Sequence, residues 1–398
     1  MSGPEDKYLS RTRRLDWLPF SPPDIGQEEI DEVVDSLRSG WITTGPKTAR
    51  FEQDLAGYLG CRQVIALNSA TAGLFLCLKQ LGIGPGDEVI TTPYTFAATV
   101  NVILHCGARP VLVDVRQEDF NIDPELVERA VTGKTRAVIP VHFAGRSCDL
   151  KTIGEIAQRH GLEVIEDAAH AIGAEFGGRK VGAISRFTVF SFHAVKNLTT
   201  GEGGAIATDD EPAAEALRVM ALHGMNKDAW KRFAPGGKWQ YDIVLPGYKY
   251  NMMDLQAALG IHQLRKLESF IARRREIARQ YRAGLSGLPG LRLPEEDRSN
   301  RQTWHLYPLL LDFDRMKIDR ARFIELLAEE NISANVHYQP VHLFRHYREA
   351  LGHRPGDFPV AEKLSRSEVT LPLYTRLSPE DVEDVVAAVR KTVINNIK

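Results

Sequence analysis

Residues 190–205 read FSFHAVKNLTTGEGGA. A short apolar run, residues 187–192, leads into this stretch, and a second, residues 205–208, follows it. Between them stands Lys196, whose small or polar neighbours, among them Ala194, Asn197, Thr199, Thr200 and Gly201, leave room for a ligand against the backbone. Surface lysines ordinarily fall on polar helix faces. A lysine just past an apolar strand suits a Schiff-base amine, which attacks a carbonyl to form an imine. It suits a solvated loop lysine equally well, and the stretch alone leaves both readings open.

Working outward, further short apolar runs occur at residues 64–67, 88–91, 110–115, 137–141 and 163–165. Helical-length segments at 72–81, 95–106, 124–131 and 150–160 separate them. Such alternation predicts an α/β domain with a mostly parallel sheet covered by helices on both faces. Ligands of such sheets sit beyond the carboxyl ends of the strands, so the residues that follow each strand carry the functional signal.

After the first strand, Ser69, Ala70, Thr71 and Ala72 open a helix. Free N–H groups and a hydroxyl there fit a phosphate, although a plain N-cap explains the same residues. After the second come Tyr94 and Phe96, either of which could stack on a flat ring or simply be core. Asp167 and His170 follow the strand in EVIEDAAHA. A carboxylate at the end of an apolar strand needs a partner, and a cationic ring nitrogen would serve; so would backbone N–H groups or an arginine. The turn Thr43-Thr44-Gly45-Pro46 could touch substrate if it lies beside a cavity.

Composition narrows the class. The 398 residues are 43% hydrophobic and 26% charged, with a formal net charge of −2, which gives no basic surplus for nucleic acid. No apolar run approaches the roughly 18 residues of a membrane helix, and the N-terminus lacks a signal-peptide core, so a cytoplasmic protein with no membrane partner is expected. Cys61, Cys77, Cys106 and Cys148 lie outside any CxxC spacing; they predict buried thiols and no metal site.

A phosphate cradle, a stacking aromatic, a strand-end aspartate and a loop lysine on one sheet edge match what pyridoxal 5′-phosphate (PLP) requires. The segments SGWITTGPK, NSATAGL, IPVHFAG, EDAAHAIGA, FSFHAVKNLTTGEGGAI and LPGYKYNMMDLQAALG resemble those of the DegT/DnrJ/EryC1/StrS family of sugar-nucleotide aminotransferases. Within it the chain looks most like the ArnB-like branch, which acts on UDP-4-keto-arabinose. The resemblance runs from about Leu18 to the C-terminal helix and implies PLP fold type I.

It further implies site roles. Lys196 is the imine-forming lysine; Asp167 pairs with the pyridine nitrogen and His170 lies near the ring hydroxyl. Thr71, Ala72 and Ser191 contact the phosphate, Phe96 stacks on the ring, and Lys249 reaches the phosphate of a neighbouring subunit in a homodimer. Phe96 stands where the ArnB-like pattern has tryptophan, and Lys249 where the wider family often has asparagine. Lysine can serve there as a point charge. The implied reaction moves the amino group of L-glutamate to a keto carbon, C4, of a nucleotide-linked keto sugar and releases 2-oxoglutarate. Related sugar dehydratases carry histidine in place of the lysine, so Lys196 favours amino transfer.

The rest of the chain looks like support. Residues 1–20 are expected to be a loose arm, 21–263 the large PLP-binding domain, and 264–398 a smaller C-terminal α+β domain. The first helix should bury Ile30, Val33, Val34 and Leu37 and end at Gly40. A long helix should bury Leu264, Leu267, Phe270, Ile271, Ile277 and Tyr281, with Arg273, Arg274 and Arg275 as a solvated face. TWHLYPLLLDF reads as a strand, DRARFIELLAEENI as a helix, SANVHYQPVH as a strand and turn, and SPEDVEDVVAAVRKTV as the last helix. Thr44, His337, Tyr338 and His342 are substrate candidates. Two other readings share these features: a PLP aminotransferase of another substrate class, and a non-catalytic protein that binds sugar nucleotides.

Overall fold

The computed structural model describes residues 8–226 and 241–398. The large domain is built on β1 (Gln63–Leu67), β2 (Glu88–Thr91), β3 (Arg109–Leu112), β4 (Thr135–Val138) and β5 (Glu163–Asp167). A two-stranded excursion, β6 (Glu175–Phe176) and β7 (Arg179–Lys180), precedes β8 (Phe187–Ser191) and β9 (Gly204–Thr208). The sheet order is β1-β9-β8-β5-β4-β2-β3, and β9 alone runs against the rest. Strands β8, β5, β4, β2 and β3 pair in parallel, so their carboxyl ends share one edge.

Helices α1 (Gln27–Ser39), α2 (Pro46–Leu59), α3 (Ala70–Gln80), α4 (Ala97–His105), α5 (Pro124–Ala130), α6 (Leu150–His160) and α7 (Glu211–Ala221) surround that sheet. Then α8 (Asp254–Leu285) runs 32 residues without a break. Leu264, Leu267 and Ile271 pack with the large domain, whereas Ile277, Tyr281 and Leu285 pack with the small one. The expected boundary between 263 and 264 therefore falls inside a continuous helix shared by both cores. The small domain adds β10 (Leu291–Arg292), β11 (Tyr307–Leu311), α9 (Arg320–Glu329), α10 (Arg345–Leu351), α11 (Pro359–Ser367), β12 (Glu368–Leu371) and α12 (Pro379–Asn396). Its three strands form an antiparallel sheet in the order β10-β11-β12.

Several expectations are corrected. Of the arm expected over 1–20, residues 1–7 lie outside the described residues, and 8–20 are not loose: Leu18 is buried and bonds Asn331 and Ser333 through its backbone, and Arg11 and Arg14 both pair with Asp384 on α12. In α1 the buried residues are Glu29 and Ser36, while Ile30 and Leu37 are 47% and 56% exposed. The polar face turns inward because α8 supplies its partners, Lys266 and Gln263, which both bond Glu29. Arg274 is buried, not solvated; its Nη1 donates to the carbonyls of Leu373, Trp304 and His305, at 2.8, 3.3 and 3.3 Å. Burial lowers its guanidinium to about 10. The SANVHYQPVH segment forms no strand, only one bridge between Asn335 and Thr370. Cys77, Cys106 and Cys148 are buried as expected, and Cys61 partly so.

Two close contacts fix the edge where the site lies. Gly204 opens β9 against the start of α3; a Cβ there would come within 2.4 Å of the Ala70 nitrogen and 2.8 Å of the Phe190 oxygen, both backbone. Part of the glycine-rich run is therefore there to let strand and helix meet. The second contact caps a helix from a distance. Asp254, at the start of α8, accepts the N–H groups of Gly45, Lys47 and Thr48 at 2.8, 3.0 and 2.9 Å, and the Thr48 hydroxyl at 2.7 Å. The carboxylate thus satisfies the orphan donors at the start of α2 and complements its dipole. Replacing it with alanine strands three amides and a hydroxyl in a buried site. Asp254→Ala is expected to lower the unfolding free energy by about 3 kcal/mol, read from the midpoint of urea denaturation; a loss below about 0.5 kcal/mol would show that water replaces the cap.

Candidate active site

A cavity of about 710 Å³ opens between the carboxyl edge of the large sheet and the small domain. That is a size suited to a small organic ligand. Its floor comes from two strand ends. Asp167 is the last residue of β5, and Lys196 lies in the loop that leaves β8 at Ser191.

The loop that carries Lys196 is tied down by its own polar residues. Backbone bonds from Phe192 to Gly203 and from Thr200 to Phe192, both 2.9 Å, close it at its base. Buried Thr199 donates to the Phe192 carbonyl, Thr200 to the Glu202 carbonyl, and Asn197 to Thr303 of the small domain. The Lys196 side chain is only partly exposed, and its ammonium has no hydrogen-bond partner among the described residues. Burial lowers it to about 8, against a smaller pull upward from Asp167. About a tenth of this amine is therefore free base at pH 7 and about half at pH 8, far more than for an ordinary lysine, and the free base is the form that attacks a carbonyl.

Asp167 is 5% exposed. Its Oδ2 accepts from the Thr99 hydroxyl at 2.8 Å and its Oδ1 from the Ala169 amide at 3.2 Å. Burial pushes the carboxyl up, while Thr99, Ala169 and the Lys196 charge press it back. Thr99 comes from the first turn of α4, one turn beyond Phe96, the N-cap. That cap leaves the Phe96 ring 65% exposed on the cavity wall, while Tyr94 is wholly buried and bonded to the His337 carbonyl. Of the two aromatics, Phe96 is the one that presents its ring to the cavity.

His170 is buried with its Nε2 3.0 Å from the Tyr338 hydroxyl and, among the described residues, no partner on its Nδ1. Burial, Lys196 and His337 hold it well below its ordinary value, so the ring is neutral. His305 packs against it with centroids 4.3 Å apart. At the α3 end, Ser69 takes the Ala72 amide at 3.1 Å, and Ala72 itself is buried. The first-turn amides of Ala70 and Thr71 have no helical acceptor, and Ser69, Ala70, Thr71 and Ser191 all line the cavity. The residues present fit PLP: an amine without a partner, a buried carboxylate, an open aromatic face, an unpaired imidazole nitrogen and a helix start with a hydroxyl.

The structure brings Thr71, Phe96, Asp167, His170, Ser191, Lys196, His337 and Tyr338 to this cavity. It does not bring the other sequence candidates there. Thr44 bonds the Met252 carbonyl and accepts from Asn251, beside a separate cleft next to α2. His342 is buried away from the cavity, 3.0 Å from Glu362 and packed on Phe358. Lys249 is outside its own chain's cavity, with Nζ bonded to Asn251 at 2.7 Å. Sequence reasoning missed Thr99, which holds Asp167, and His305, Arg320 and Phe20, which complete the wall. Thr99 could have been found: it lies one helical turn from Phe96 on a helix expected at this edge.

The lowered Lys196 value predicts how the protein takes up its cofactor. Capture of PLP by cofactor-free protein, followed by its visible absorbance, should accelerate through about pH 8 rather than near the ordinary lysine value of 10.5. Asp167→Asn removes a charge that raises Lys196, so its inflection should move lower still. An inflection at or above 10 in the native protein would contradict the burial of this amine.

The sequence model of the DegT/DnrJ/EryC1/StrS aminotransferase family matches residues 23–390. The chain is 48% identical over 382 residues to the spore coat polysaccharide biosynthesis protein SpsC of Bacillus subtilis, spanning 96% of this chain and 98% of that protein. The fold superposes on the PLP form of the putative sugar aminotransferase Spr1654 of Streptococcus pneumoniae with a TM-score of 0.88, at 37% identity over 95% of this chain and 99% of that one. It also superposes on PseC of Helicobacter pylori, an aminotransferase involved in the biosynthesis of pseudoaminic acid. There the TM-score is 0.89, at 29% identity over 96% and 100% of the two chains. With the lysine, the strand-end aspartate and the α3 cradle in place, the chain belongs to the DegT/DnrJ/EryC1/StrS family and is a PLP-dependent aminotransferase.

Proposed function

We propose that this enzyme moves the amino group of L-glutamate to C4 of a nucleotide-linked keto sugar, of the UDP-4-keto-pentose or UDP-4-keto-6-deoxyhexose class, and releases 2-oxoglutarate. The observation that carries the reading is the unpartnered amine of Lys196 set opposite the buried Asp167 carboxylate. The sugar class is supported by SpsC and PseC, which serve polysaccharide and pseudoaminic acid biosynthesis. A cytoplasmic location fits a nucleotide-sugar substrate; no helix among the described residues is long and apolar enough to cross a membrane.

When bound, PLP supplies an electron sink and carries the amino group between the two substrates. The chain's own residues do the rest. Asp167, held by Thr99 and Ala169, places a fixed negative charge that favours a protonated pyridine nitrogen. Lys196, with an amine near 8, can take a proton from a carbon acid and return it at neutral pH. His170, kept neutral and braced by Tyr338, would offer a hydrogen bond to the ring hydroxyl of the bound cofactor without adding charge beside Lys196. Phe96, whose ring is exposed on the cavity wall, would cover one face of the bound ring and keep water from it.

A panel of UDP-, dTDP- and GDP-linked 4-keto sugars beside ordinary keto acids tests this assignment. The expected outcome is turnover of one or more keto sugars with glutamate as donor, at a kcat/KM well above that of any keto acid acceptor. Faster turnover of a keto acid would make the enzyme an aminotransferase of another class.

The proposed active unit is a homodimer with shared sites, supported by Lys249, which lies exposed outside its own cavity. Placed at a partner's phosphate, it would add a cation to a helix start. Lys249→Ala should then weaken cofactor binding. Mixed with Lys196→Ala under subunit exchange, it should regain about a quarter of the sites, because a hybrid dimer has one site with both lysines. Proven exchange without any recovered activity would contradict shared sites.

A further inference from the structure

Glu368 opens β12 and is fully buried beneath the small-domain wall of the cavity. Its Oε2 accepts the backbone N–H of His337 at 2.8 Å, and its Oε1 is bonded to the hydroxyl of Thr370, on the same face of the strand. That hydroxyl also lies 2.9 Å from Nδ1 of His337. His337 lines the cavity and stacks on Phe20; its Nδ1 is held, and among the described residues no hydrogen bond is made to its Nε2. The other titratable or charged groups facing Glu368 are Arg320 at the start of α9, Tyr94 and Tyr338. Lys196 acts on His337 from the cavity floor.

A hydroxyl has one hydrogen, so Thr370 can donate to only one of its two neighbours. If Glu368 is ionised, the hydroxyl donates to it and must accept from Nδ1–H, which leaves a bare lone pair on Nε2. If Glu368 holds its proton, the acid O–H donates to Thr370, Thr370 donates to Nδ1, and the ring hydrogen sits on Nε2. Burial raises the Glu368 carboxyl to about 8, and burial with the Lys196 charge lowers His337 to about 4. A carboxyl near 8 beside a ring near 4 favours the second arrangement near neutral pH, with a neutral ring.

We propose that Glu368 and Thr370 are positioning residues that aim Nε2–H of His337 into the cavity, where it donates to an uncharged oxygen, a hydroxyl or carbonyl, of the sugar acceptor. The proposal rests on the sugar reading given above. An uncharged donor suits an uncharged oxygen; the carboxylates of the amino donor call for a charged partner such as arginine. When Glu368 ionises above about pH 8, its proton leaves to solvent and Thr370 turns its hydrogen to the carboxylate. The ring hydrogen then passes from Nε2 to Nδ1 through solvent. One proton is lost in all, and the cavity gains an acceptor in place of a donor.

Nitrogen NMR of the holoenzyme labelled with [15N]histidine reads this directly, with His337 assigned by its loss in His337→Gln. The native ring should carry its hydrogen on Nε2 at about pH 6.5 and on Nδ1 at about pH 9.5. Glu368→Gln should hold the Nε2–H form at both, because the amide copies the acid: its NH2 donates to Thr370 and its oxygen keeps the His337 N–H. In steady state, Thr370→Val should raise KM for the keto sugar roughly five- to tenfold and leave the half-reaction with glutamate unchanged, and Thr370→Ser should restore it. A native tautomer that does not change with pH, or a Thr370→Val variant equally impaired with donor and acceptor, would overturn the proposal. Sugar turnover with a fixed tautomer contradicts only the relay, whereas a switching tautomer with no turnover of any keto sugar contradicts both the contact and the sugar reading.

Discussion

Two opposite charges held out of water at neighbouring strand ends govern this molecule. Asp167 ends β5 and Lys196 follows β8, and β5 and β8 are adjacent parallel strands. Burial works against both charges, pushing the carboxyl up and the amine down, and each moderates the shift of the other. No direct bond joins them among the described residues, so the space between stays open. A carboxylate and an amine that cannot neutralise each other by contact are poised for a ligand that needs both. The cost of leaving them apart is of the order of a few kcal/mol, and cofactor binding offsets it.

Much of the remaining architecture keeps that geometry rigid. Gly204 lets β9 close against the start of α3, which fixes the cradle relative to the loop carrying Lys196. Asp254 ties α8 to α2, and α8 carries the small domain from its other end. From that helix Arg274 gathers the carbonyls of Trp304, His305 and Leu373, so the chain segments that roof the cavity are anchored by one buried cation. The Asn197 bond to Thr303 joins roof to floor beside the lysine.

The large domain was legible because its signals are periodic. Strand β2 and helix α6 have the expected bounds, and the neighbouring strands differ by a few residues at their ends. Residues that line the cavity were legible where they end or follow strands, as with Asp167, Lys196 and Thr71. What periodicity cannot see are polar residues with buried partners. Three successive arginines on a helix point in three directions, and nothing in the run says that Arg274 faces inward. The apolar stripe of α1 misleads for the same reason: Lys266 and Gln263 make the polar face of Glu29 the buried one, and a stripe does not say what it faces. The stretch around His337 fails as a strand because side chains take its backbone, Glu368 the N–H and Tyr94 the carbonyl. Such bonds join residues about 30 and 240 positions apart, beyond any local pattern.

The central claim is that Lys196 is the residue that holds the cofactor. Reducing the PLP-loaded protein with borohydride fixes the cofactor to its lysine, and peptide mass spectrometry then locates it. The account predicts a single pyridoxyl group on the peptide containing Lys196. A pyridoxyl group on any other lysine, with Lys196 unmodified, would contradict it.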